Sequence, residues 1–165
     1  MTYTELLTAY SADSETLRAA VRDLTPEQFR ARPISGQWST LEVVCHLADS
    51  EALFAERMKR VLAEERPPLL YSDPAGQVAA LAYHERDLDE ELNLIEQLRR
   101  QMTRILRAQP AEAWQRVGVH SLEGDRTLEQ LVAKAVWHLE HHLGFIEQKR
   151  RVLLGDVATP LAPGQ

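Results

Sequence analysis

The segment at residues 127–154 reads TLEQLVAKAVWHLEHHLGFIEQKRRVLL and decides the fold. Its apolar residues recur at steps of three and four, which is the period of a helix that buries one face. Thr127 and Gln130 have the spacing of a capping box, and Gly155 is a typical residue just beyond a helix end. The pattern predicts a long amphipathic helix over residues 127–154.

This segment contains three of the six histidines, within a span of five residues (138–142). His138 and His142 are four residues apart, so they share a helix face, and both interrupt an otherwise apolar line. Burial of two imidazoles one turn apart without partners costs desolvation energy, which a shared metal ion would offset. His141 falls on a mostly polar line and is expected to face solvent or a pocket rim. The third ligand must come from another helix, and His46 is the best candidate.

Three further amphipathic segments are predicted as helices, over about residues 4–23, 39–65 and 74–108. The second begins with a capping box formed by Ser39 and Glu42, and Trp38 occupies the position of a hydrophobic staple. No segment shows the alternating pattern of a β-strand, so the sequence predicts an all-α four-helix bundle. The connections at residues 24–38, 66–74 and 109–126 are longer than those of a simple up-down bundle, which permits crossovers and a roof over a pocket.

Length and composition set the broad class of the protein. The chain has 165 residues and 44% hydrophobic residues, which predicts one domain over residues 1–154 followed by a flexible tail at 155–165. No apolar run approaches the ~18–20 residues of a membrane span, and the N-terminus lacks the pattern of a signal peptide. A soluble, cytoplasmic protein is expected. The net charge of −6 disfavours binding to nucleic acids and acidic membranes.

Several motifs together carry a family resemblance. They are Trp38-Ser39 followed by Glu42, His46-Leu47-Ala48-Asp49, His120 with Gly124-Asp125-Arg126-Thr127-Leu128, and His138, His141-His142 and Ile146. In these residues the chain resembles the DinB/YfiT-like family of metal-dependent helical-bundle enzymes, which is distinct from the similarly named DNA polymerase. The resemblance implies that His46, His138 and His142 hold a divalent metal ion. It also implies a relation to transferases and isomerases that use low-molecular-weight thiols.

Three neutral imidazoles without a thiolate or carboxylate suit Zn²⁺, and also Ni²⁺ or Fe²⁺, with open positions left for water or substrate. We therefore expect a metal-dependent enzyme that acts on a small molecule, either a thiol-dependent S-transferase or a hydrolase. The alternative is a non-catalytic metal-binding module or a dimeric interaction module. The sequence does not select the substrate, and a homodimer is compatible with it.

Four other residues near the proposed site have roles that the sequence indicates. Asp49 could accept the second ring N–H of a ligand histidine, or it could be an ordinary solvated charge. His84 could line the pocket or serve as an acid or base, or it could lie at the core edge. Cys45 is expected to pack in the core, because it is rotated away from His46. His120 is expected in a loop, as a lid residue or a loop anchor.

Overall fold

A computed structural model of the protein describes residues 2–155. Four long helices dominate it, and shorter elements fill the connections between them. In chain order the elements are α1 (Tyr3–Val21), α2 (Pro26–Arg30), α3 (Thr40–Ala63), β1 (Pro68–Leu69), α4 (Pro74–Ala80), a 3₁₀ turn (Tyr83–Glu85), α5 (Leu88–Arg107), a 3₁₀ turn (Ala111–Gln115), β2 (Val117–His120), β3 (Gly124–Thr127) and α6 (Leu128–Leu154). The predicted tail beyond Gly155 lies outside the described residues.

Capping boxes fix the first turns of the two helices that matter most for function. At α3, the Glu42 N–H donates to Ser39 Oγ (3.1 Å), and the Ser39 N–H donates to the Glu42 carboxylate (2.7 Å). At α6, Thr127 and Gln130 make the same reciprocal pair, at 3.1 and 3.0 Å. Each box satisfies two N–H groups that have no partner within the helix. The predicted starting points of both helices are therefore confirmed.

The four long helices form the predicted four-helix bundle with an uncommon order. The main contacts join α3 to α5 and α6, and α1 to α5 and α6. The order around the bundle is therefore α1, α5, α3, α6, which places α1 diagonally opposite α3 and α5 diagonally opposite α6. A diagonal step requires the chain to cross an end of the bundle, and this explains the long connections that precede α3 and α6.

The third predicted helix, over residues 74–108, is wrong as a single element. Helix α4 ends at Ala80, Ala82 adopts a left-handed conformation (φ 48°), and a new helix begins at Leu88. The side chain of Asp87 accepts the backbone N–H of Glu90 and so caps that new helix. Tyr83, in the 3₁₀ turn between the two helices, is fully buried. The buried Tyr83 side chain and the Asp87 cap therefore stabilise the break between α4 and α5.

A small sheet lies in the connections, although the sequence showed no strand pattern. Strand β1 pairs with β2 in parallel, and β2 pairs with β3 antiparallel. The strands have only two to four residues, too few for an alternating pattern to be recognised. Gly118 allows β2 to lie close to the core, because a Cβ atom there would be 2.7 Å from Leu69 Cδ1 and 2.8 Å from Val61 Cγ2.

The middle of the bundle contains a buried ion pair between apolar clusters. On α5, Arg99 Nη2 donates to Glu51 of α3 (2.6 Å) and to the Ala135 carbonyl of α6 (3.0 Å). Its Nη1 donates to the Tyr10 carbonyl of α1 (3.0 Å). Arg99 and Glu51 are 1% and 0% exposed. The guanidinium of Arg99 on α5 thus makes hydrogen bonds to the other three long helices.

None of the helices in residues 2–155 combines the length and the apolar composition that a membrane span requires.

Candidate metal centre

Two neighbouring helices bring three histidines to one point. His138 and His142 lie one turn apart on α6, and His46 lies on α3. One potential ligand atom from each residue lies within 4.8 Å of the other two. The ring centroids are 4.6, 4.8 and 5.0 Å apart, so the three rings form an almost equilateral triangle. The structure therefore brings together the three residues that the sequence analysis selected.

The spacing of these rings suits a shared divalent ion. Nε2 of His46 and Nε2 of His138 are 3.1 Å apart, whereas two nitrogens at about 2.0–2.1 Å from one tetrahedral zinc ion lie about 3.4 Å apart. The three Nδ1 atoms are buried and have no hydrogen-bond partner within residues 2–155. Coordination of one ion through one nitrogen of each ring would offset part of the desolvation cost of this cluster; where Nε2 is the ligand, Nδ1 stays without a hydrogen-bond partner.

The electrostatic environment keeps these imidazoles neutral. Burial, followed by the charge of the neighbouring imidazoles, lowers the pKa of His138 and His142 to about 3. Burial also lowers the pKa of His46, although the carboxylate of Asp49 opposes this effect. A neutral imidazole has a lone pair available for a metal, so protons do not compete for these ligands at pH 7.

Aromatic side chains hold two of the rings in place. The indole of Trp38 meets His46 edge to face, at a centroid distance of 5.3 Å. Phe54 meets His138 in the same manner at 5.7 Å. Such pairs have a preferred geometry, so packing restrains the imidazole planes.

Two residues near His46, Asp49 and Cys45, make hydrogen bonds to groups outside the histidine cluster. Asp49 accepts hydrogen bonds from the Tyr83 hydroxyl (2.7 Å) and from Arg86 Nη1 (3.1 Å). Of the two roles left open from the sequence, it therefore has neither, because it accepts no imidazole N–H among the described residues and its charge is paired. Cys45 is buried, as predicted, and its Sγ donates to the Tyr83 carbonyl at 3.5 Å. Burial raises the pKa of this thiol to about 12, so Cys45 is not a nucleophile at neutral pH.

Two other histidines stay outside the cluster. His141 lies on the exposed face of α6, as the helical phase predicted, and stacks on Trp137 at 4.8 Å. His84 lies in the 3₁₀ turn with its side chain 64% exposed, 3.5 Å from the Glu85 carboxylate. It therefore neither lines the site nor lies at the core edge, because the break after α4 removes it from the apolar stripe of α5.

Cavities flank the histidine cluster on two sides. A cavity of about 550 Å³ opens beside His46 and His138, between α3, α6 and the sheet. A smaller cavity of about 290 Å³ lies beside His142 and is also lined by Trp38 and Lys149. The larger cavity has the size of a small-molecule site and gives a substrate access to the histidines.

Two buried cations at these cavities were not predicted from the sequence. Arg57 lines the larger cavity and Lys149 the smaller one, and the two residues are 7% and 1% exposed. A signal for both was present in the sequence. Arg57 follows His46 by eleven residues and Lys149 follows His138 by eleven, which is three helical turns and therefore the same face.

The fold and the site define a class of four-helix bundles with a histidine centre, and comparison with known proteins identifies the family. The DinB superfamily matches residues 9–146, so the chain belongs to that superfamily. A relative from Oceanobacillus iheyensis, named "Putative metal-dependent hydrolase", is 30% identical over 130 residues, which are 79% of this chain and 75% of the relative. The similarly named YfiT of Bacillus subtilis is 29% identical over 136 residues, which are 82% of this chain and 76% of YfiT.

A solved structure supports the same assignment. The structure of YfiT from Bacillus subtilis is described as that of "a probable metal-dependent hydrolase with an unusual four-helix bundle topology". It superposes with a TM-score of 0.85 at 27% sequence identity, over 90% of this chain and 86% of YfiT. The uncommon helix order described above thus belongs to a bundle that this chain shares with YfiT.

Proposed function

We propose that the protein is a metal-dependent hydrolase of a small molecule, with one divalent ion held by His46, His138 and His142. The observation that carries this proposal is the convergence of three neutral imidazoles, that of His46 buried and those of His138 and His142 half-buried, beside an open cavity. The relatives named as metal-dependent hydrolases support it. An all-nitrogen donor set favours Zn²⁺, with Ni²⁺ or Fe²⁺ as alternatives.

The chain itself supplies binding and orientation. When bound, a divalent ion supplies Lewis acidity, which polarises a carbonyl or phosphoryl oxygen and lowers the pKa of a coordinated water or thiol. Trp38 and Phe54 hold the imidazole planes, as described above. Leu53 and Phe54 line the cavity on the α3 side and limit the water around a bound substrate.

A second candidate is a thiol-dependent S-transferase, in which a low-molecular-weight thiol is the cosubstrate. Two carboxylates line the large cavity, and both are engaged: Asp49 with Tyr83 and Arg86, and Glu123 with Arg126. Neither is available as a general base for water. A thiol would have less need of such a base, because a bound divalent ion would lower the pKa of the thiol.

Metal analysis with matched variants tests the site. Protein purified without added metal is expected to hold about one divalent ion per chain, and alanine at His46, His138 or His142 should remove it. His141→Ala is the control, because His141 lies on the same helix but faces outward. Loss of the metal in His141→Ala, or its retention in the other three variants, would contradict the assignment.

Activity separates the two candidates. Metal-loaded protein, metal-free protein and His46→Ala are compared on ester, amide and phosphate substrates, and then on cellular thiols with an electrophile. Turnover above background in the first group of substrates supports the hydrolase, and turnover only with thiols supports the transferase. Equal rates for all three proteins in every assay would leave a metal-binding module without turnover.

A further inference from the structure

The large cavity is elongated, with the histidine cluster at one end. His46, Ser50, Leu53 and Arg57 follow one another on α3 at steps of four, three and four, so they form one face. The eleven residues from His46 to Arg57 correspond to about 16 Å along the helix axis. Leu131, Lys134 and His138 form the facing wall on α6. A molecule in this cavity can therefore contact the histidines and Arg57 with opposite ends.

Arg57 is a buried cation for which the protein provides little compensation. One hydrogen bond is made, from Nη2 to the carbonyl of Leu70. Nε is buried and has no hydrogen-bond partner within the described chain. No ion pair joins the guanidinium to a carboxylate among the described side chains, and the charges of Glu56 and Glu123 act on it only from a longer distance. A buried charge without a counter-charge is costly, and such a guanidinium is suited to bind an oxyanion.

His120 adds a neutral donor next to this cation. Its Nδ1 accepts the backbone N–H groups of Leu122 (3.3 Å) and Glu123 (3.2 Å), so the ring proton resides on Nε2. Burial, and then the nearby charge of Arg57, lowers the pKa of His120 and keeps the ring neutral. His120 therefore anchors the turn between β2 and β3 and also lines the cavity as a donor.

The remaining charges of the cavity favour an anion as well. Glu123 accepts Arg126 Nε at 3.1 Å, which neutralises both groups. Asp49 is paired with Arg86. Lys134 lies with Nζ 4.3 Å from the Trp137 ring centroid and is the second cavity cation without a carboxylate partner in the described residues. The lining is therefore locally positive in a chain whose net charge is −6.

We propose that Arg57 and His120 form an anion-binding subsite that holds a carboxylate or phosphate group of the substrate, while the reacting group lies at the three histidines. The part of this proposal that concerns the three histidines rests on the proposed function, whereas the part that concerns Arg57 and His120 does not. The anion end consists of residues that do not belong to the metal centre, so it can be tested without a metal. The inferred substrate is a small molecule with an anionic terminus roughly 10 Å from its reacting group, allowing for the reach of the arginine side chain.

The first experiment uses metal-free protein with inorganic phosphate and, separately, acetate as probes. Calorimetry is expected to give an affinity that falls at least tenfold in Arg57→Gln and is unchanged in Arg104→Gln, an exposed arginine on α5 with the same loss of charge. The comparison of phosphate with acetate shows which oxyanion the subsite prefers. Equal affinities of wild type and Arg57→Gln for both probes would overturn the proposal.

A second measurement does not depend on the folding of a variant. In ¹⁵N spectra of the wild-type protein, the Nε–H signal of Arg57 should shift on titration with phosphate or acetate, but not with the same concentration of chloride. His46→Ala should retain this shift, because it lacks only the metal end. A shift that is absent, or equal with chloride, argues against the subsite even if the metal centre is real.

A third experiment, with cobalt-loaded protein, tests whether one molecule contacts both the histidine centre and the anion-binding subsite. Probes are 3-mercaptopropionic, 6-mercaptohexanoic and 8-mercaptooctanoic acids, each compared with the mercapto-alcohol of equal length, with the thiol-to-cobalt absorption band as readout. We expect the acid to bind at least tenfold more tightly than the alcohol at one of these lengths, in wild type and Arg104→Gln but not in Arg57→Gln. Equal binding of acid and alcohol at all lengths would refute the placement of both ends on one substrate.

Discussion

Acidification of the metal-free protein should destabilise it through the histidine cluster, well above the pH at which its carboxylates titrate. His138 and His142 have a pKa of about 3 in the folded state, against about 6.5 in an unfolded chain. Because the folded pKa is the lower one, the stability is fully present above pH 6.5 and is lost as the pH falls towards 3. The unfolded state binds protons that the folded state does not bind.

The size of the loss follows from the difference in pKa. A pH of 5 is about 1.5 units below the pKa of each histidine in the unfolded chain, and each unit corresponds to about 1.4 kcal/mol of stability per histidine. The limit for the two groups is therefore about 4 kcal/mol. Both side chains are only half-buried, so solvent screening reduces the expected loss to about 2–4 kcal/mol. Since natural domains unfold at a cost of about 5–15 kcal/mol, this is a large fraction of the total.

Urea unfolding at pH 7, 6 and 5, followed by far-ultraviolet circular dichroism in the presence of a chelator, measures this loss. The double variant His138→Gln/His142→Gln should lose much less stability over the same range. His84→Gln is the matched control, since His84 is exposed, and it should behave as wild type. If the wild-type protein and the double variant lose equal stability between pH 7 and pH 5, burial of the imidazoles is not the cause and the reasoning is refuted.

Two further predictions concern the framework of the site. Glu51→Leu should destabilise the protein by about 3–5 kcal/mol in urea unfolding, because Arg99 then stays buried without its carboxylate, and Glu51→Leu/Arg99→Met should recover most of the loss. Equal losses in the single and double variants would contradict this. Gly118→Ala should lower the free energy of unfolding by about 1–3 kcal/mol, because the added Cβ would overlap Leu69 and Val61. An unchanged melting temperature would show that the sheet shifts at no cost.

The parts of the fold that the sequence predicted are those set by local signals. Capping boxes and steps of three and four fix the start and phase of α3 and α6, so the inward direction of His138 and His142 follows from the sequence alone. The phase of α3 likewise turns His46 inward, whereas the pairing of His46 with the two histidines of α6 was supported by the family resemblance. The order of the helices around the bundle depends on long-range packing, and the length of the connections gave the only hint of it.

The parts that the sequence did not predict depend on tertiary partners. Arg57 and Arg99 are charged residues on amphipathic helices and are normally read as solvated. Their burial depends on partners from other segments, namely the Leu70 carbonyl for Arg57, and the Glu51 carboxylate and Tyr10 carbonyl for Arg99. The break before α5 was not predicted either. The residue with the left-handed conformation is Ala82, and no glycine or proline occupies that position to indicate a helix end.

The two ends of the large cavity have one property in common, which is that neither the three histidine ligands nor the hydrogen-bond partner of Arg57 provides a negative charge. Three neutral imidazoles would leave the double positive charge of a bound ion uncompensated by its ligands, and Asp49, whose charge acts on His46, is already paired with Arg86. At the other end, Arg57 lacks a carboxylate partner among the described residues. Under the proposed function, a coordinated hydroxide or thiolate would supply negative charge at the histidine end, and the anionic terminus of the substrate would supply it at Arg57. We therefore expect a neutral substrate to leave Arg57 without a counter-charge, whereas a substrate with an anionic terminus would supply one.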